Sequence, residues 1–379
     1  MMTVMQVLPA LVTGGVERGT VDIAKALVKQ GHRAIVVSSG GPMVKALIEA
    51  GAQHITLPVH SKNIMVMRRN ANALAKQLRC EQIDIVHARS RAPAWSCYWA
   101  SQKTATPFVT TFHGTYGHSN RLKRWYNAVM CRGDRIIAVS DFIARHIANT
   151  YAVDQARIQT IHRGVDMQQF DPSHVPPNSV SNLSQKWQLK QNQTVIMLPG
   201  RLTRWKGQLI LIDAIAQLKL QNTVCLLVGE DQGRSHYREE LEQRIKFHQL
   251  ETIVKLVGGC NDMAAAYHLS DLVVSASTDP EAFGRVACEA QAMGCLVVAT
   301  DHGGARETIA PEQRQWLCQP NDVDSLTNAI TKALASSKQQ RAEIAAHSRR
   351  HIEQQFSLDK MCTETLALYQ NVLKPEKRS

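Results

Sequence analysis

The sequence predicts an α/β protein of two doubly wound parallel-sheet domains, and three observations carry that expectation. The chain has 379 residues, more than one hydrophobic core usually organises, so two domains of ordinary size are expected. Short β-rich runs alternate with amphipathic stretches along nearly its whole length. The alternation breaks once, at a Pro-, Ser-, Asn- and Gln-rich segment, and then resumes.

In the first series TVMQVL, AIVVSS, HITLPV, IDIVHA, PFVTTF and RIIAVS read as strands, separated by helical stretches such as VERGTVDIAKALVKQGH and DFIARHIANTY. The first run has no basic residue before Arg18 and passes into a Gly turn, as a buried strand does and an export signal does not. The break, DPSHVPPNSVSNLSQKWQLKQNQ, reads as an interdomain linker. TVIMLP, VCLLVG, IVKLVG, DLVVSAS and CLVVAT then form a second series. The expected boundaries are an N-terminal domain over 1–170, the linker over 171–193, a C-terminal domain over 194–355, and a C-terminal helix within 356–379 that packs back toward the N-terminal domain. In such sheets ligands enter at the carboxyl ends of the strands.

Hydrophobic residues make up 44% of the chain and charged residues 20%, and no segment approaches the ~18 uninterrupted apolar residues of a spanning helix. A folded protein that does not cross a membrane is expected. Nine Cys without a C-x-x-C pair argue against a disulfide framework and a zinc site, and suit buried thiols in a reducing cytoplasm. The net charge of +12 is one-sided: residues 1–175 hold 21 Lys and Arg against 10 Asp and Glu, and the remainder 23 against 22. That asymmetry suggests an anionic partner, either nucleic acid or an acidic lipid surface.

The strand-end loops hold the candidate chemistry. After the first strand, Gly14 and Gly15 in TGGVERG let backbone approach a ligand where a helix begins, although a simple connecting turn fits equally. After the fifth strand His113 precedes Gly114, at a position where ligands enter such sheets, whereas a lone His is commonly structural. In PGRLTRWKGQ, Arg201 and Lys206 lie five apart across a strand-to-helix turn and could neutralise a diphosphate, or form a solvated face. In PEAFGRVACEAQAMG, Glu281 falls in a loop, where it can accept sugar hydroxyls beside the Phe283 and Gly284 amides. Glu289 falls inside an apolar helix, where a buried carboxylate needs a partner that a ribose diol would supply. A surface acid and a helix acid are the alternative. Asp322 and Asp324 in NDVDSL mimic a metal-binding D-x-D but precede a helical run and read as an N-cap.

Together, TGGVERG, TFHG, VSDF, HRGVD, PGRLTRWKG, LVGE, PEAFGRVACE and TDHGGARE resemble the retaining glycosyltransferases of family four, which have the GT-B fold, over nearly the whole chain. The resemblance implies that Arg201 and Lys206 hold the donor diphosphate, Glu289 the ribose, and Glu281 with the Phe283 and Gly284 amides the transferred sugar. Gly14 and Gly15 would line the cleft near donor phosphate and acceptor, Gly229 and Glu230 would lie near the nucleotide, and His113 would contact the donor sugar at the reaction centre. It implies a nucleotide-sugar donor, either a UDP-sugar or GDP-mannose, a glycan or glycolipid acceptor, and retention without a protein nucleophile. No metal and no cofactor are expected, the nucleotide sugar being a substrate. RSRAPAW, TTFHGTYG and LKRWYNAVMCRGDR further resemble bacterial enzymes of lipopolysaccharide core assembly. Where the family has Asn-Gly-Val-Asp, this chain has Arg163-Gly164-Val165-Asp166, a departure placed at the hinge.

Two rival classes fit less well. A nicotinamide dehydrogenase wants G-x-G-x-x-G after a first strand and an acid closing the next, and neither domain shows both. A nucleic-acid-binding protein suits the basic first half but leaves the cations and acids of the second unexplained, so no nucleic-acid partner is expected. Three further expectations follow. Removing the loop acid Glu281 should cost activity and little stability. Arg201 and Lys206 should act as a unit. Arg121, Lys123, Arg124, Arg132 and Arg135, around Trp125, Tyr126, Val129 and Met130, form either a solvated helix or a face for an anionic bilayer on the inner side of the cytoplasmic membrane.

Overall fold

Each run read as a strand is a strand in the computed structural model, which describes residues 1–12, 14–117 and 120–374. The first sheet comprises β1 (Thr3–Val7), β2 (Arg33–Ser38), β3 (Gln53–Thr56), β4 (Ile85–Ala88), β5 (Phe108–Phe112), β6 (Arg135–Ala138) and β7 (Ile158–Thr160), in the order β3-β2-β1-β4-β5-β6-β7. The second comprises β8 (Thr194–Pro199), β9 (Thr223–Val228), β10 (Val254–Gly258), β11 (Leu272–Ser275), β12 (Leu296–Thr300) and β13 (Leu317–Cys318), ordered β10-β9-β8-β11-β12-β13. The pairings are parallel, and crossover helices cover both faces, so the central strands read as continuous apolar runs and not as alternations. Strand order reverses between β1 and β4 and again between β8 and β11, and there neighbouring loops diverge and leave a crevice at the carboxyl ends.

The chain divides into two units, Met1–Gly164 with the C-terminal segment from Leu358, and Val165–Ser357. In the first, Val4, Ile23, Leu27 and Val36 are buried with Leu366, Leu368 and Tyr369 of the helix Leu358–Leu373. That helix is thus part of the first unit's core. In the second, Ile196, Leu198, Leu227, Val274 and Val298 of the sheet pack with Leu211, Ile215 and Ile330 of the flanking helices.

The stretch 171–193 is not an extended linker. Asp171 caps the turn Pro172–His174, and Pro176 and Pro177 start a helix, Pro177–Lys186, that packs on the helix Met263–His268 within the second unit. Proline ends a strand pattern, but at the first turn of a helix its missing N–H costs nothing. No helix among the described residues is long and apolar enough to cross a membrane. The nine cysteines are free thiols.

Candidate active site

In the second unit the reversal point lies between β8 and β11, and the loops after these strands supply the predicted cation and acid. After β8 the chain turns through Gly200, exposes Arg201, makes the single turn Arg204–Lys206 and enters the helix Gln208–Leu218 through Gly207 at φ 75°. A Cβ at Gly207 would stand 1.9 Å from the carbonyl oxygen of Ala276, just after β11, so only glycine lets the two loops meet here. Gln208, fully buried, donates to the Arg201 carbonyl at 3.0 Å and accepts from the Tyr237 hydroxyl at 3.1 Å, which fixes the turn.

The result is an ion pair. Lys206 Nζ donates to Glu281 Oε1 at 2.7 Å, with the two side chains 13% and 10% exposed. Ser277 donates to the same oxygen, and Lys206 Nζ also sits 4.4 Å from the centre of the Trp205 ring. Burial pushes the Glu281 carboxyl up, but the Lys206 ammonium and the hydrogen bonds from Lys206 and Ser277 outweigh it and hold the group below its ordinary value of 4.5. A carboxylate so placed keeps lone pairs for hydroxyl donors, and the ammonium keeps N–H groups for an anion. Arg201, exposed on the same loop, is not part of this pair. The two cations therefore occupy different surroundings, and the expectation that Glu281 is a loop acid without a structural role is corrected: its removal strands a buried ammonium.

Glu289 lies in the helix Arg285–Ala292, 8% exposed, and both its oxygens have partners within the chain. Arg285, one turn earlier, donates to Oε1, and the buried Tyr267 hydroxyl donates to Oε2 at 3.1 Å. Its burial is thereby accounted for without a ligand, although a carboxylate with two donors retains acceptor capacity. Phe283 is buried, its ring edge-on to Phe356 at 5.8 Å, and Gly284 begins the helix at φ 99° with no room for a Cβ beside Ala305. Gly229 packs on Gly200, where a Cβ would lie 1.9 Å from the carbonyl oxygen, and the exposed Glu230 accepts from the Leu202 amide through its backbone carbonyl at 3.0 Å. Asp322 caps the helix Val323–Leu334 by accepting from Ser325 N at 2.8 Å, and Asp324 accepts from Gln217.

In the first unit His113 follows β5. Arg163 Nη2 donates to its Nδ1 at 2.9 Å. Since a guanidinium can only donate, Nδ1 is the acceptor and the proton sits on Nε2. Nε2 is buried and has no partner among the described residues. Burial, and then the charges of Arg163 and Arg89 and the neighbouring His87, hold the imidazole well below its ordinary value of 6.5. The geometry therefore offers one neutral, unspent N–H donor at a strand end. Gly14 and Gly15 start the helix Gly15–Lys29 after β1, with no side-chain cap, and the Glu17 carboxylate folds over Gly14.

Comparison with known proteins accounts for this pair of sheets and loops. Residues 13–169 match the model of Glycosyltransferase Family 4, and residues 179–351 that of Glycosyl transferases group 1. A glycosyltransferase from Rickettsia africae is 38% identical and superposes with a TM-score of 0.91 over 99% of both chains. The chain belongs to the family 4 glycosyltransferases. Anabaena HepE, solved in complex with UDP and glucose, is 26% identical with a TM-score of 0.84 over 98% of this chain and all of that one. The lipopolysaccharide 1,2-N-acetylglucosaminetransferase of Salmonella typhimurium is 32% identical over 188 residues, 48% of this chain and 49% of that one.

Several residues of this glycosyltransferase escaped the sequence reading. Ser277 and Lys206 jointly fix Glu281, Tyr267 and Arg285 fix Glu289, and His302 Nε2 donates to the Ser277 carbonyl at 2.8 Å. Gly303 and Gly304 lie against the acid loop: the Gly304 amide donates to the Glu281 carbonyl at 2.7 Å, and a Cβ there would meet the Ala282 carbonyl at 2.4 Å. The TDHGGARE motif held that signal, since adjacent glycines after a strand mark close backbone approach. Arg163 stands where the chain leaves the first unit, as expected, and it also donates to His113. The basic and aromatic segment is also revised. Val129 and Met130 are fully buried in the turn Ala128–Cys131, and Trp125 stacks on Trp95 at 4.7 Å, leaving Leu122 and part of Trp125 as its exposed large apolar surface.

Proposed function

We propose that this glycosyltransferase moves a hexosyl unit from a nucleotide-diphosphate sugar to a glycan or glycolipid, with retention of anomeric configuration and without a metal. The observation that carries the donor assignment is the Lys206–Glu281 pair at the reversal point of the second sheet. A cation for phosphate oxygens and an acceptor for sugar hydroxyls stand side by side there, with Arg201 exposed on the same loop. Glu289 would take the ribose with its remaining lone pairs, and Gly229 and Glu230 would lie near the nucleotide. Of the two donor classes, UDP-sugars are favoured by the likeness to HepE, whose complex holds UDP and glucose. An acceptor in lipopolysaccharide core synthesis is favoured by the likeness to the Salmonella enzyme.

In this reading the His113 Nε2–H donates to an oxygen of the sugar at the reacting centre. The leaving diphosphate, its charge offset by Lys206 and Arg201, takes the acceptor proton on the face it leaves. Catalysis is then positioning and charge stabilisation by groups already in place.

Release of nucleoside diphosphate from a panel of UDP-sugars and GDP-mannose tests the assignment, with product configuration read by proton NMR. One UDP-sugar should turn over, with the product anomer matching the donor, with full activity in EDTA, and with at least a tenfold loss in Lys206→Met. Turnover of no nucleotide sugar, or an inverted product, would overturn it.

A further inference from the structure

The first unit contains a cavity of about 590 Å³ that the donor assignment leaves unused. Small-molecule sites commonly span roughly 300–1,000 Å³. Its walls include Lys62 ahead of the helix Ile64–Cys80, Ser90 and Arg91 at the start of the helix Arg91–Thr104, and Leu122, Lys123 and Trp125 of the short helix Arg121–Asn127. Three cations thus line one cavity, and no Asp or Glu is among the residues lining it. Lys62, Arg91 and Lys123 make no ion pair among the described residues. Charges of one sign brought around a recess repel one another unless an anion enters it.

Arg91 is also fixed in advance. Its guanidinium lies 4.2 Å from the centre of the Tyr116 ring and donates to Asn127 Oδ1 at 3.2 Å, while Asn127 donates to the Gly117 carbonyl at 3.0 Å. A planar fork held by a ring face and an amide has already lost the freedom that binding would remove, and it suits two oxygens of one phosphate. The Ser90 side chain caps none of the amides that open the Arg91–Thr104 helix, which leaves that end of the cavity electropositive as well. At the rim, Leu122 is 79% and Trp125 59% exposed, an apolar surface fitted to the C–H face of a sugar ring.

We propose that this pocket binds a phosphate ester carried by the acceptor, with Arg91 as the forked contact and Lys62 and Lys123 as point charges. The inference deepens the transferase reading by giving its acceptor a chemical class. The basic segment that suggested a bilayer face is one wall of a binding pocket, since burial of Val129 and Met130 removes half of its apolar set.

Glucose 6-phosphate serves as the probe, with excess UDP present, and binding is followed calorimetrically and by Trp fluorescence. One saturable site is expected, and glucose at the same concentration should not fill it. Affinity should fall about tenfold or more in Arg91→Gln, and equally in Lys62→Ser/Lys123→Ser, whose exposed positions leave the fold intact. Sedimentation with phosphatidylglycerol vesicles then identifies the source of the phosphate. Vesicle binding that needs the same residues and is competed by glucose 6-phosphate assigns it to a lipid headgroup, and absence of vesicle binding assigns it to a soluble saccharide. Equal binding of the probe by wild type and Lys62→Ser/Lys123→Ser, or binding of neither probe nor vesicles, would overturn the pocket. The readout requires no sugar transfer, so its failure is distinct from failure of the donor assignment.

Discussion

At Glu281 the carboxylate meets Lys206 across 2.7 Å with both side chains nearly enclosed, and this contact makes stability and activity separable by mutation. Removing one partner of a buried pair strands the other charge, at a cost of about 3–5 kcal/mol, whereas replacing both costs far less. Glu281→Ala and Lys206→Met should each lower the urea midpoint, and the double variant Lys206→Met/Glu281→Gln should recover most of it while remaining inactive. A stable, active double variant would refute the donor role. At His113, the Arg163 charge and hydrogen bond help keep the imidazole neutral with its proton on Nε2. Arg163→Met should raise the His113 pKa, though burial, the larger cause, keeps it below 6.5. The acid limb of the kcat/KM profile should therefore move to higher pH, with about a twofold loss at neutrality as the two tautomers share the proton, and nitrogen NMR should show Nδ1–H and Nε2–H both populated. An unchanged profile would make Arg163 merely structural. Neither contact was legible in the sequence, because the partners are 75 and 50 residues apart. The types and loops of Lys206, Glu281 and His113 were legible, because each follows a recognisable strand.

At the scale of elements, the loops after β8, β11 and β12 form one interlocked set held by glycines. Gly207 combines a φ of 75° with a Cβ position 1.9 Å from the Ala276 carbonyl oxygen. Gly207→Ala should cost about 1–3 kcal/mol from the backbone alone. Because the Ala276 loop leads to Ser277 and Glu281, it should also weaken UDP affinity, measured calorimetrically, more than Thr203→Ala or Arg204→Ala in the same turn. Wild-type affinity in Gly207→Ala would show that the loops move independently. The strands were readable because parallel sheets covered on both faces demand unbroken runs such as VCLLV and LVVAT. The short edge strands β7 and β13 carry too few residues for a period to show, with Ile158–Thr160 reading apolar-polar-polar. The helix Pro177–Lys186 was hidden by its composition: two prolines, three serines and two asparagines across 176–186 signal a loop, yet the prolines sit where a helix accepts them.

Across the whole molecule, buried imidazoles are unequally shared, and this sets how each unit should respond to acid. In the first unit His87 is fully buried between the Tyr369 hydroxyl and the Thr111 hydroxyl, each at 2.7 Å. Burial, then the Arg89 charge, holds it well below 6.5, as burial and Arg163 do for His113. In the second unit the corresponding imidazole, His351, is half-buried and depressed mainly by burial. A histidine whose folded pKa is depressed stays neutral in the native state while the unfolded chain takes up a proton below pH 6.5. Its contribution is thus complete above 6.5 and declines as pH falls toward the folded value, by up to about 1.4 kcal/mol per pH unit for each such group. Glu281 acts later, because its carboxyl lies below 4.5 and its contribution is lost only as pH falls through that lower value. Between pH 7.5 and 5.5 the first unit should therefore lose stability faster than the second. Hydrogen exchange read by mass spectrometry on peptides of each unit resolves the two. Protection of β1, β4 and β5 should fall with acid while that of β8 and β11 holds, and His87→Asn should flatten the first unit's slope. Equal loss in both units would mean that the buried histidines of the first do not govern its acid response.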